Sequence, residues 1–477
     1  MQHPIIYWFR RDLRLCDNVA LTKAINSGQP VICLYIYDEH SDNNWKIGSA
    51  SKWWLNHSLL ALSLSLKKLG VKLTLRQGDT IEVLQKVIQE SNATALYFSK
   101  LYEPHQIKIE DIIHEKLSNK VDIRRFKGYL LFEPESIRTG NNEPYKVFTP
   151  FYKTCLREFS TTKPLATPDK LFSYNKQIES DRIQDWNLCP NNPDWATGFN
   201  DYWIPGECGA HQNLNDFIQH SVAKYQNLRN RPDVTGTSRL SPHLHFGEIS
   251  PRQIWTAIIH SKKVTLNGGE CYLREIIWRE FSYHLLFHNP SLPESPFRNE
   301  FSKFPWKQNK KALVAWQKGK TGYPIVDAGM RELWATGWMH NRVRMIVASF
   351  LIKHLLIPWQ RGQDWFWDTL VDANLANNSA SWQWVAGCGA DASPYFRIFN
   401  PTLQGEKFDP QGDYVRQWVP ELTHLPVKYI HTPWLAPDSV LNQANVILGK
   451  NYPKPIVDHK FARERALSAY NKIRSTK

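Results

Sequence analysis

The chain has 477 residues, 42% of them hydrophobic, which is enough for a sizeable core spread over two or three domains. It contains no apolar run of about 18 residues and its N-terminus lacks the layout of a signal peptide, so we expect no membrane span and a cytoplasmic protein. The net charge of +14 favours a polyanionic partner, nucleic acid first, although many basic proteins carry such a charge for solubility alone.

The first 130 residues alternate between strand and helix patterns. A helix predicted at residues 19–28 takes Asp17 or Asn18 as its N-cap and ends at Gly28. No GxGxxG motif follows the first strand, which excludes the usual dinucleotide fingerprint. Because strands and helices alternate, we predict an α/β domain with a parallel, Rossmann-like sheet and helices on both faces. The predicted strands are residues 5–10, 31–37, 72–78 and 94–99, and the other helices are residues 49–69, about 80 onward and 105–118.

The composition changes near residue 131. Eight prolines fall within residues 134–205, so we predict an interdomain linker over residues 131–205. From about residue 206 the apolar spacing becomes helical, and thirteen of the 20 tryptophans lie in this half. The sequence therefore predicts an α/β domain at 1–130 and an all-α domain at 206–477, joined by the long linker. Helical spacing is clearest in residues 273–288, 322–337 and 338–356.

Metal and disulfide chemistry are not indicated. The seven cysteines are scattered and form no CxxC pair, so we expect reduced, mostly buried thiols. His243 and His245 have no acidic or cysteine partner at ligand spacing, and we predict no metal site. Residues 318–321 resemble the end of a P-loop, but Val314 stands where that motif needs glycine, which excludes a P-loop triphosphatase.

The segment Gly236–Ser241 is a loop of small and hydroxyl-bearing residues ahead of a predicted helix start. Backbone N–H and hydroxyl groups in such a place suit a phosphate or pyrophosphate. Capping of the following helix is the alternative.

Several helical spacings place polar and aromatic side chains on one face. Such stripes usually pack in a core, but a buried glutamate or asparagine needs hydrogen-bond partners. A flat aromatic ligand with carbonyl and N–H edges would supply them. The sets are Asn378 with Trp382, Glu275 with Trp278, and Trp338 with Asn341 and Met345.

Six motifs follow one another along nearly the whole chain. They are WFRRDLRL at 8–15, TSRLS at 237–241, WREF at 278–281, TGYPIVD at 321–327, GWMHNR at 337–342 and FRIFNP at 396–401. Together they resemble the photolyase/cryptochrome family, most of all its cyclobutane pyrimidine dimer photolyases. Residues 387–392 resemble the class III branch, which is close to plant cryptochromes. The resemblance implies an antenna-binding domain at 1–130 and a helical FAD-binding catalytic domain at 206–477.

The resemblance implies FAD, held as FADH⁻. Asn378 would face flavin N5, where an amide is typical of repair enzymes and plant cryptochromes carry aspartate. Arg344 and Asp372 would pair to offset the charge of the reduced flavin, with an ordinary structural ion pair as the alternative. Asn374 stands where many relatives carry aspartate, and its amide can hydrogen-bond the ring edge. The other implied FAD contacts are Tyr225, Thr237, Ser238, Arg239, Leu240, Ser241, Trp338 and Asn341.

The implied substrate residues favour cyclobutane dimers over (6-4) photoproducts. Enzymes for cyclobutane dimers resemble one another in a glutamate, a tryptophan, an asparagine and a methionine around the flipped lesion. Enzymes for (6-4) photoproducts resemble one another in a histidine pair where this chain has Asn341 and Met345. The implied catalytic residues are Glu275, Asn341, Met345 and Asn378. The implied lesion and DNA contacts also include Trp278, Trp384, Arg229, Arg342, Arg397 and Gln404.

Three tryptophans match the family's photoreduction chain, with Trp382 nearest the flavin, Trp359 in the middle and Trp306 at the surface. The implied antenna is methenyltetrahydrofolate, ahead of a deazaflavin. We expect a monomer that acts on ultraviolet-damaged DNA, associates with the bacterial nucleoid when bound, and has no membrane partner. The alternatives are a blue-light photoreceptor without repair activity, a DASH cryptochrome, and a basic nucleic-acid-binding protein without photochemistry.

Overall fold

The computed structural model describes residues 3–39, 45–159, 162–261, 266–392 and 396–474. The chain forms two compact units, each assembled from several stretches. Unit 1 comprises Met1–Ala223, Ser238–Pro290 and Val371–Asn374, and unit 2 comprises Lys224–Thr237, Ser291–Leu370 and Leu375–Lys477. The sequence-based domain boundaries near residues 130 and 205 stay a prediction.

Unit 1 contains a five-stranded sheet in which all neighbouring strands run parallel. The strand order is β3-β2-β1-β4-β5, so the chain builds outward from β1 in one direction and then in the other. This confirms the predicted parallel α/β domain. The strands are β1 (Ile5–Phe9), β2 (Val31–Tyr37), β3 (Leu73–Gln77), β4 (Ala95–Ser99) and β5 (Asp122–Phe126).

Helices make up most of the remaining regular structure, which confirms the predicted helical C-terminal half. The helices are α1 (Val19–Ile25), α2 (Ser49–Lys68), α3 (Thr80–Ser91), α4 (Pro104–Leu117), α5 (Phe148–Glu158), α6 (Glu207–His220), α7 (Tyr225–Leu228), α8 (Ser241–Phe246), α9 (Pro251–His260), α10 (Leu266–His288), α11 (Lys310–Gln317), α12 (Pro324–Thr336), α13 (Asn341–Ser349), α14 (Trp359–Thr369), α15 (Leu375–Ala386), α16 (Pro401–Phe408), α17 (Asp413–Trp418), α18 (Asp438–Gln443) and α19 (His459–Arg474). A π-helical turn, Phe350–His354, follows α13 directly. Short 3-10 helices lie at Ile183–Trp186, Thr197–Asp201, Val222–Lys224, Asn299–Lys303, Pro420–Leu422, Val427–Tyr429 and Pro433–Leu435.

Helices cover both faces of the sheet, as predicted. Trp8 of β1 packs in a buried apolar cluster with Leu84 of α3 and Ile113 of α4. Successive side chains of a strand point to opposite faces, so the neighbouring Tyr7 lies on the other face. There the Tyr7 hydroxyl contacts Asn18, the residue that precedes α1. Both faces are therefore buried, which explains why β1 and β2 read as nearly continuous apolar runs.

Local chemistry sets several element boundaries. Asn18 is the N-cap of α1, because its Oδ1 accepts from the Leu21 N–H at 3.0 Å. The helix ends at Ile25, three residues earlier than predicted, and Gly28 has a φ of +74° in the following turn. Strand β5 was not predicted, because three of its five residues are charged and it pairs with β4 alone at the sheet edge.

Two regions differ from the sequence-based elements. The stretch predicted as a linker contains α5 and two 3-10 helices. The predicted helix over residues 338–356 starts only at Asn341, because α12 ends at Gly337 with a left-handed φ of +67°. Trp338 therefore lies in the connection before α13, and the prediction that it shares a helix with Asn341 and Met345 is wrong. Among the residues described, no helix is long and apolar enough to cross a membrane.

Candidate functional site

Helix α15 of unit 2 carries Asn378 and Trp382 on one face, as their spacing predicted. Asn378 is 9% exposed, and its Nδ2 donates to the Gln363 carbonyl oxygen at 3.1 Å. This bond requires an amide, because an ionised carboxylate at position 378 has no hydrogen to donate. Since Nδ2 is used inside the protein, the Asn378 Oδ1 is the atom that can accept from a ligand.

A glycine on α14 lets the Trp382 ring approach that helix closely. A Cβ atom at Gly362 would lie 2.1 Å from Cη2 of Trp382, far inside any contact distance. The ring is 3% exposed and packs edge-on against Phe366, with centroids 5.0 Å apart. The indole is therefore held in one place by α14.

The three predicted redox tryptophans differ in exposure, but their order as an electron path stays a prediction. Trp382 and Trp359 are buried, and Trp306 is half-buried. Within the described ranges Trp382 makes no ring contact with Trp359; its nearest indole is Trp316, with centroids 6.3 Å apart. Trp306 packs on Phe304 at 4.3 Å. Trp316 was not singled out from the sequence, because its spacing from Trp382 has no local pattern.

The start of α13 brings an aromatic ring and a guanidinium together. Arg344 donates from Nε to the Met339 carbonyl oxygen at 2.8 Å and lies 5.9 Å from the Trp338 ring centroid. Asn341 is the first residue of α13 and is exposed, and Met345 lies four residues later on the same face. The pairing of Arg344 with Asp372 stays a prediction.

Arg229, Arg342 and Arg397, the three arginines predicted to hold DNA, lie close together in unit 2. Burial, and then the charges of Arg229 and Arg397, lower the pKa of Arg342. Arg342 donates to Asn230 Oδ1 from Nη2 at 2.7 Å and from Nε at 3.2 Å, and it stacks over Phe408 at 4.5 Å. The guanidinium is held in place by an amide and a ring, neither of which neutralises it.

Four other predicted contact residues also belong to unit 2. Tyr225 is 7% exposed and lies 5.6 Å from the Arg229 guanidinium, and Gln404 is a half-buried residue of α16. Trp384, half-buried on α15, donates from Nε1 to the Asp391 carbonyl oxygen at 3.1 Å. Thr237 is the last residue of its stretch of unit 2.

In unit 1, the hydroxyl loop leads into α8, which begins at Ser241. Its N-cap residue Leu240 has no capping side chain, and the Ser238 Oγ accepts from the Leu240 N–H at 3.4 Å. The Tyr272 hydroxyl donates to Ser238 Oγ at 2.9 Å, and Arg239 has a left-handed φ of +51° with its guanidinium 5.8 Å from Trp203. Leu240 is buried just before the helix.

Helix α10 presents Glu275 and Trp278 three residues apart, and both are half-buried. The Trp278 ring stacks flat on Phe148 of α5, with centroids 3.6 Å apart and an interplanar angle of 6°. Arg274 lies 5.3 Å from the same Phe148 ring. Phe148 was missed from the sequence, because it is 130 residues away from Trp278 and lies in the stretch predicted as a linker.

Asp372 and Asn374 are 8% and 5% exposed. Asn374 donates from Nδ2 to the Tyr283 hydroxyl at 2.5 Å and to the Tyr129 hydroxyl at 3.4 Å. Neither tyrosine was predicted, because no short motif links them to position 374. The two phenols give the Asn374 nitrogen its partners inside unit 1.

Histidines and acids are not arranged for metal binding in the part of the chain that the structure describes, where no group of three potential ligands occurs. His243 is fully buried and its Nδ1 contacts Glu248 Oε2 at 2.5 Å. Burial, and then the charges of Arg11 and Arg279, lower the pKa of His245 well below its usual value. Both histidines are thus engaged in the packing of unit 1.

The polar residues of each unit have the chemistry that FAD requires. Amides and carboxylates that are nearly out of water must find hydrogen-bond partners. A flavin rim presents N–H and C=O groups together, which matches the mixed donor and acceptor character of asparagine. The hydroxyls at Thr237, Ser238 and Ser241 match a diphosphate, and the Arg344 guanidinium matches an anionic ring.

Comparisons with known proteins agree with this chemistry. Residues 5–169 match the family described as DNA photolyase, and residues 272–472 match the FAD binding domain of DNA photolyase. The deoxyribodipyrimidine photo-lyase of Agrobacterium fabrum (strain C58) is 50% identical over 475 residues, which covers 99% of this chain and 98% of that protein. Cryptochrome-1 of Arabidopsis thaliana is 38% identical over 488 residues, covering 98% and 70%.

A solved structure is also closely similar. The crystal structure of a bacterial class III photolyase from Agrobacterium tumefaciens gives a TM-score of 0.96 at 49% identity, covering 100% of this chain and 98% of that one. A parallel α/β part followed by a helical FAD-binding part places the chain in a class of flavoproteins with these two parts. The chain belongs to the photolyase/cryptochrome family.

Proposed function

We propose that this protein is a deoxyribodipyrimidine photo-lyase, which uses light to repair cyclobutane pyrimidine dimers in DNA. The observation that carries the proposal over a blue-light receptor is the bond from Asn378 Nδ2 to the Gln363 carbonyl oxygen. Only an amide makes this bond. With its Nδ2 bonded to Gln363, Asn378 has its Oδ1 left to accept from the N5–H of a reduced flavin. The full-length identity to a curated photo-lyase supports the same conclusion.

Reduced FAD, when bound, supplies the light-excited electron that splits the cyclobutane ring. In unit 1 the residues that would contact it are Ser238, Arg239, Leu240, Ser241, Asp372 and Asn374, and in unit 2 they are Tyr225, Thr237, Trp338 and Asn341. The Arg344 guanidinium would favour the anionic flavin, and Asp372 is its proposed counter-charge. The protein's contribution is therefore position and electrostatics.

The lesion is gripped by residues whose own geometry is fixed. Phe148 covers one face of Trp278, so that indole presents its other face as a rigid apolar wall. In unit 2, Trp384 is a further proposed lesion contact, and its Nε1 bonds to the Asp391 carbonyl oxygen. Glu275 of unit 1 would hydrogen-bond the dimer carbonyl and stabilise charge as it develops there, and Asn341 and Met345 of unit 2 are the remaining proposed lesion contacts.

Flanking DNA is held by Arg229, Arg342, Arg397 and Gln404. A guanidinium binds phosphate with two parallel hydrogen bonds, which also fixes its orientation. Turning a dimer out of the stack costs less than turning out an intact base, and the phosphate contacts hold the opened strand in register. The +14 net charge adds a steering field for the polyanion.

Three further features belong to the proposal. Trp382, Trp359 and Trp306 would form the path by which electrons reach an oxidised flavin from the surface. The N-terminal domain binds an antenna pigment, methenyltetrahydrofolate ahead of a deazaflavin. The protein works as a monomer in the cytoplasm, at the nucleoid.

The test is repair of ultraviolet-damaged oligothymidine by protein reduced in the dark, followed as the return of thymine absorbance under blue light. We expect light-dependent recovery that falls at least tenfold in Glu275→Ala, because a charge-assisted hydrogen bond to the lesion is lost. Glu270→Ala is the matched control, since Glu270 is an exposed residue of the same helix. A yellow protein that restores no absorbance, or equal losses in the two variants, would contradict the proposal.

A further inference from the structure

Four polar side chains of unit 1 form a continuous chain that ends at Asn374. Arg11 donates from Nη1 to Glu103 Oε1, and the Tyr283 hydroxyl donates to the same oxygen at 3.0 Å. Asn374 Nδ2 in turn donates to the Tyr283 hydroxyl at 2.5 Å. Glu103 and Tyr283 are completely buried, so water does not compete for these bonds.

The direction of each bond follows from the charges. Burial, and then the charge of Glu103, raise the pKa of Tyr283 well above its usual value, so its hydroxyl keeps its one proton. Burial disfavours the Glu103 carboxylate, but the charge of Arg11 and further contacts hold the pKa of Glu103 below its usual value. Glu103 is therefore an anion, and anions are the stronger acceptors. The Tyr283 proton goes to Glu103, and its oxygen must accept from position 374.

A second phenol does not change this direction. The Tyr129 hydroxyl lies 3.0 Å from that of Tyr283, but it is a neutral acceptor, and it donates its own proton to the His245 carbonyl oxygen at 3.3 Å. The Arg279 guanidinium lies over both phenol rings, 4.6 Å and 5.3 Å from their centroids. Both hydroxyl protons thus point away from Asn374.

We propose that Glu103 is a positioning residue that, through Tyr283, fixes the Asn374 amide with its nitrogen toward Tyr283 and its oxygen away from it. Only one of positions 103 and 374 can then carry a carboxylate side chain. The orientation of the Asn374 oxygen toward a flavin N–H rests on the proposed function, whereas the exclusion of a second carboxylate does not.

The exclusion follows from counting protons. A carboxylate at position 374 needs a donor, and the only proton of Tyr283 already serves Glu103. Two buried carboxylates facing one hydroxyl raise each other's pKa, so one of them takes up a proton or stays without a partner. This explains physically why position 374 carries an amide in a chain that has Glu103.

The experiment compares Asn374→Asp, Glu103→Gln and the double variant, each with Tyr283 intact and with Tyr283→Phe. Unfolding temperature of the holoprotein in the dark and tightness of FAD retention are measured at weakly acidic and weakly alkaline pH. Asn374→Asp should unfold at a lower temperature and retain FAD about tenfold less tightly. Its deficit should grow as pH rises, because a carboxyl with a raised folded pKa stabilises at low pH and loses that contribution above it.

The double variant should recover most of this loss. With an amide at position 103, Tyr283 can donate to the new carboxylate at 374 and accept from the amide. In the Tyr283→Phe background the recovery should vanish. Glu110→Gln is the matched control, since it removes the buried carboxylate partner of Arg10 and should not rescue Asn374→Asp. Arg11, Arg279, His105 and Glu280 face the same cluster and are present in every variant.

Recovery by Glu110→Gln, or recovery that survives Tyr283→Phe, would overturn the proposal. The proposal would also be overturned if neither Glu103→Gln nor a change of pH altered the loss of unfolding temperature in Asn374→Asp. If Asn374→Asp does not fold alone, folding of the double variant supports the proposal. Failure of the double variant to fold contradicts it. Coupling seen in unfolding temperature but absent from FAD retention would support the exclusion and overturn the flavin contact of Asn374.

Discussion

The two units use arginine in opposite ways. In unit 1, Arg279 is 8% exposed and donates to Glu280 Oε1 at 2.9 Å and to the Tyr129 carbonyl oxygen at 3.2 Å. In unit 2, Arg342 has Arg229 and Arg397 for neighbours, and burial and then the charges of these two arginines lower its pKa. A guanidinium paired with a carboxylate stabilises the fold, whereas a guanidinium beside other guanidinium groups can bind an anion from outside the protein. The position of the positive charge, more than its total, distinguishes the structural arginine from the arginines that we propose bind DNA.

The largest effect is expected where the paired arginine is removed. Arg279→Ala should lower the free energy of unfolding by about 3–5 kcal/mol, because the buried Glu280 carboxylate loses its guanidinium partner and keeps the backbone N–H donors of Leu131 and Phe132. Denaturant unfolding measures this. Arg274→Ala is the control on the same helix, and because Arg274 is exposed it should cost less than about 1 kcal/mol. Similar losses in the two variants would remove the contrast between paired and unpaired arginine.

The second effect is on DNA affinity. Arg342→Ala should weaken binding of ultraviolet-damaged DNA about tenfold, and the slope of log affinity against log salt should fall by about 0.9, since one phosphate contact is lost. Stability should hardly change, because the substitution also relieves repulsion. Arg331→Ala is the matched control, because Arg331 is neutralised by Glu421 at 2.7 Å in the same unit. A DNA defect of equal size in Arg331→Ala would mean that net charge alone matters.

The third effect is a pH dependence in unit 1. Burial, opposed by Arg279 and two backbone N–H groups, raises the pKa of Glu280 from 4.5 to about 7. Its contribution to stability is present below about pH 4.5 and is lost as pH rises through about 7. Glu280→Gln does not titrate, so its unfolding temperature relative to the parent should rise across that window. A constant difference would show that Glu280 ionises as freely in the fold as in the unfolded chain.

The smallest effect concerns the orientation of the unpaired arginine. Asn230→Ala removes the amide that accepts two bonds from Arg342 and should weaken DNA binding about threefold, with the salt slope unchanged because no charge is lost. Asn227→Ala, an exposed neighbour, should bind DNA like the parent. A changed salt slope in Asn230→Ala would mean that the amide does more than orient the guanidinium.

Local patterns predicted the fold where apolar periodicity is strong. Strand β2 occupies the predicted residues 31–37, and α2 ends one residue before its predicted end. The pattern failed at β5, an edge strand rich in charge, and at Trp338, which lies between the end of α12 and the start of α13 although it continues the apolar spacing of α13. An edge strand needs only one buried side, and a left-handed glycine leaves no trace in a hydrophobic period.

For the site, the sequence could supply residue types and spacing along helices, as for Asn378 with Trp382. It could not supply partners that are distant in sequence. Phe148 behind Trp278, Asn230 beside Arg342 and Glu103 behind Asn374 become visible only once the chain is folded. These supporting residues fix orientation, and no short motif encodes them.

Gly362 carries a consequence for how this chain can diverge. Because Gly362 has no side chain, the Trp382 ring fits against it. Any larger residue at 362 therefore first requires a smaller side chain at 382 or a shift of the Trp382 ring. The reverse order is open, because a smaller ring at 382 leaves only a gap beside the glycine. A lineage that replaced Trp382 would therefore lose the indole before the glycine, and a glycine at 362 facing a non-aromatic residue at 382 would mark such a descendant.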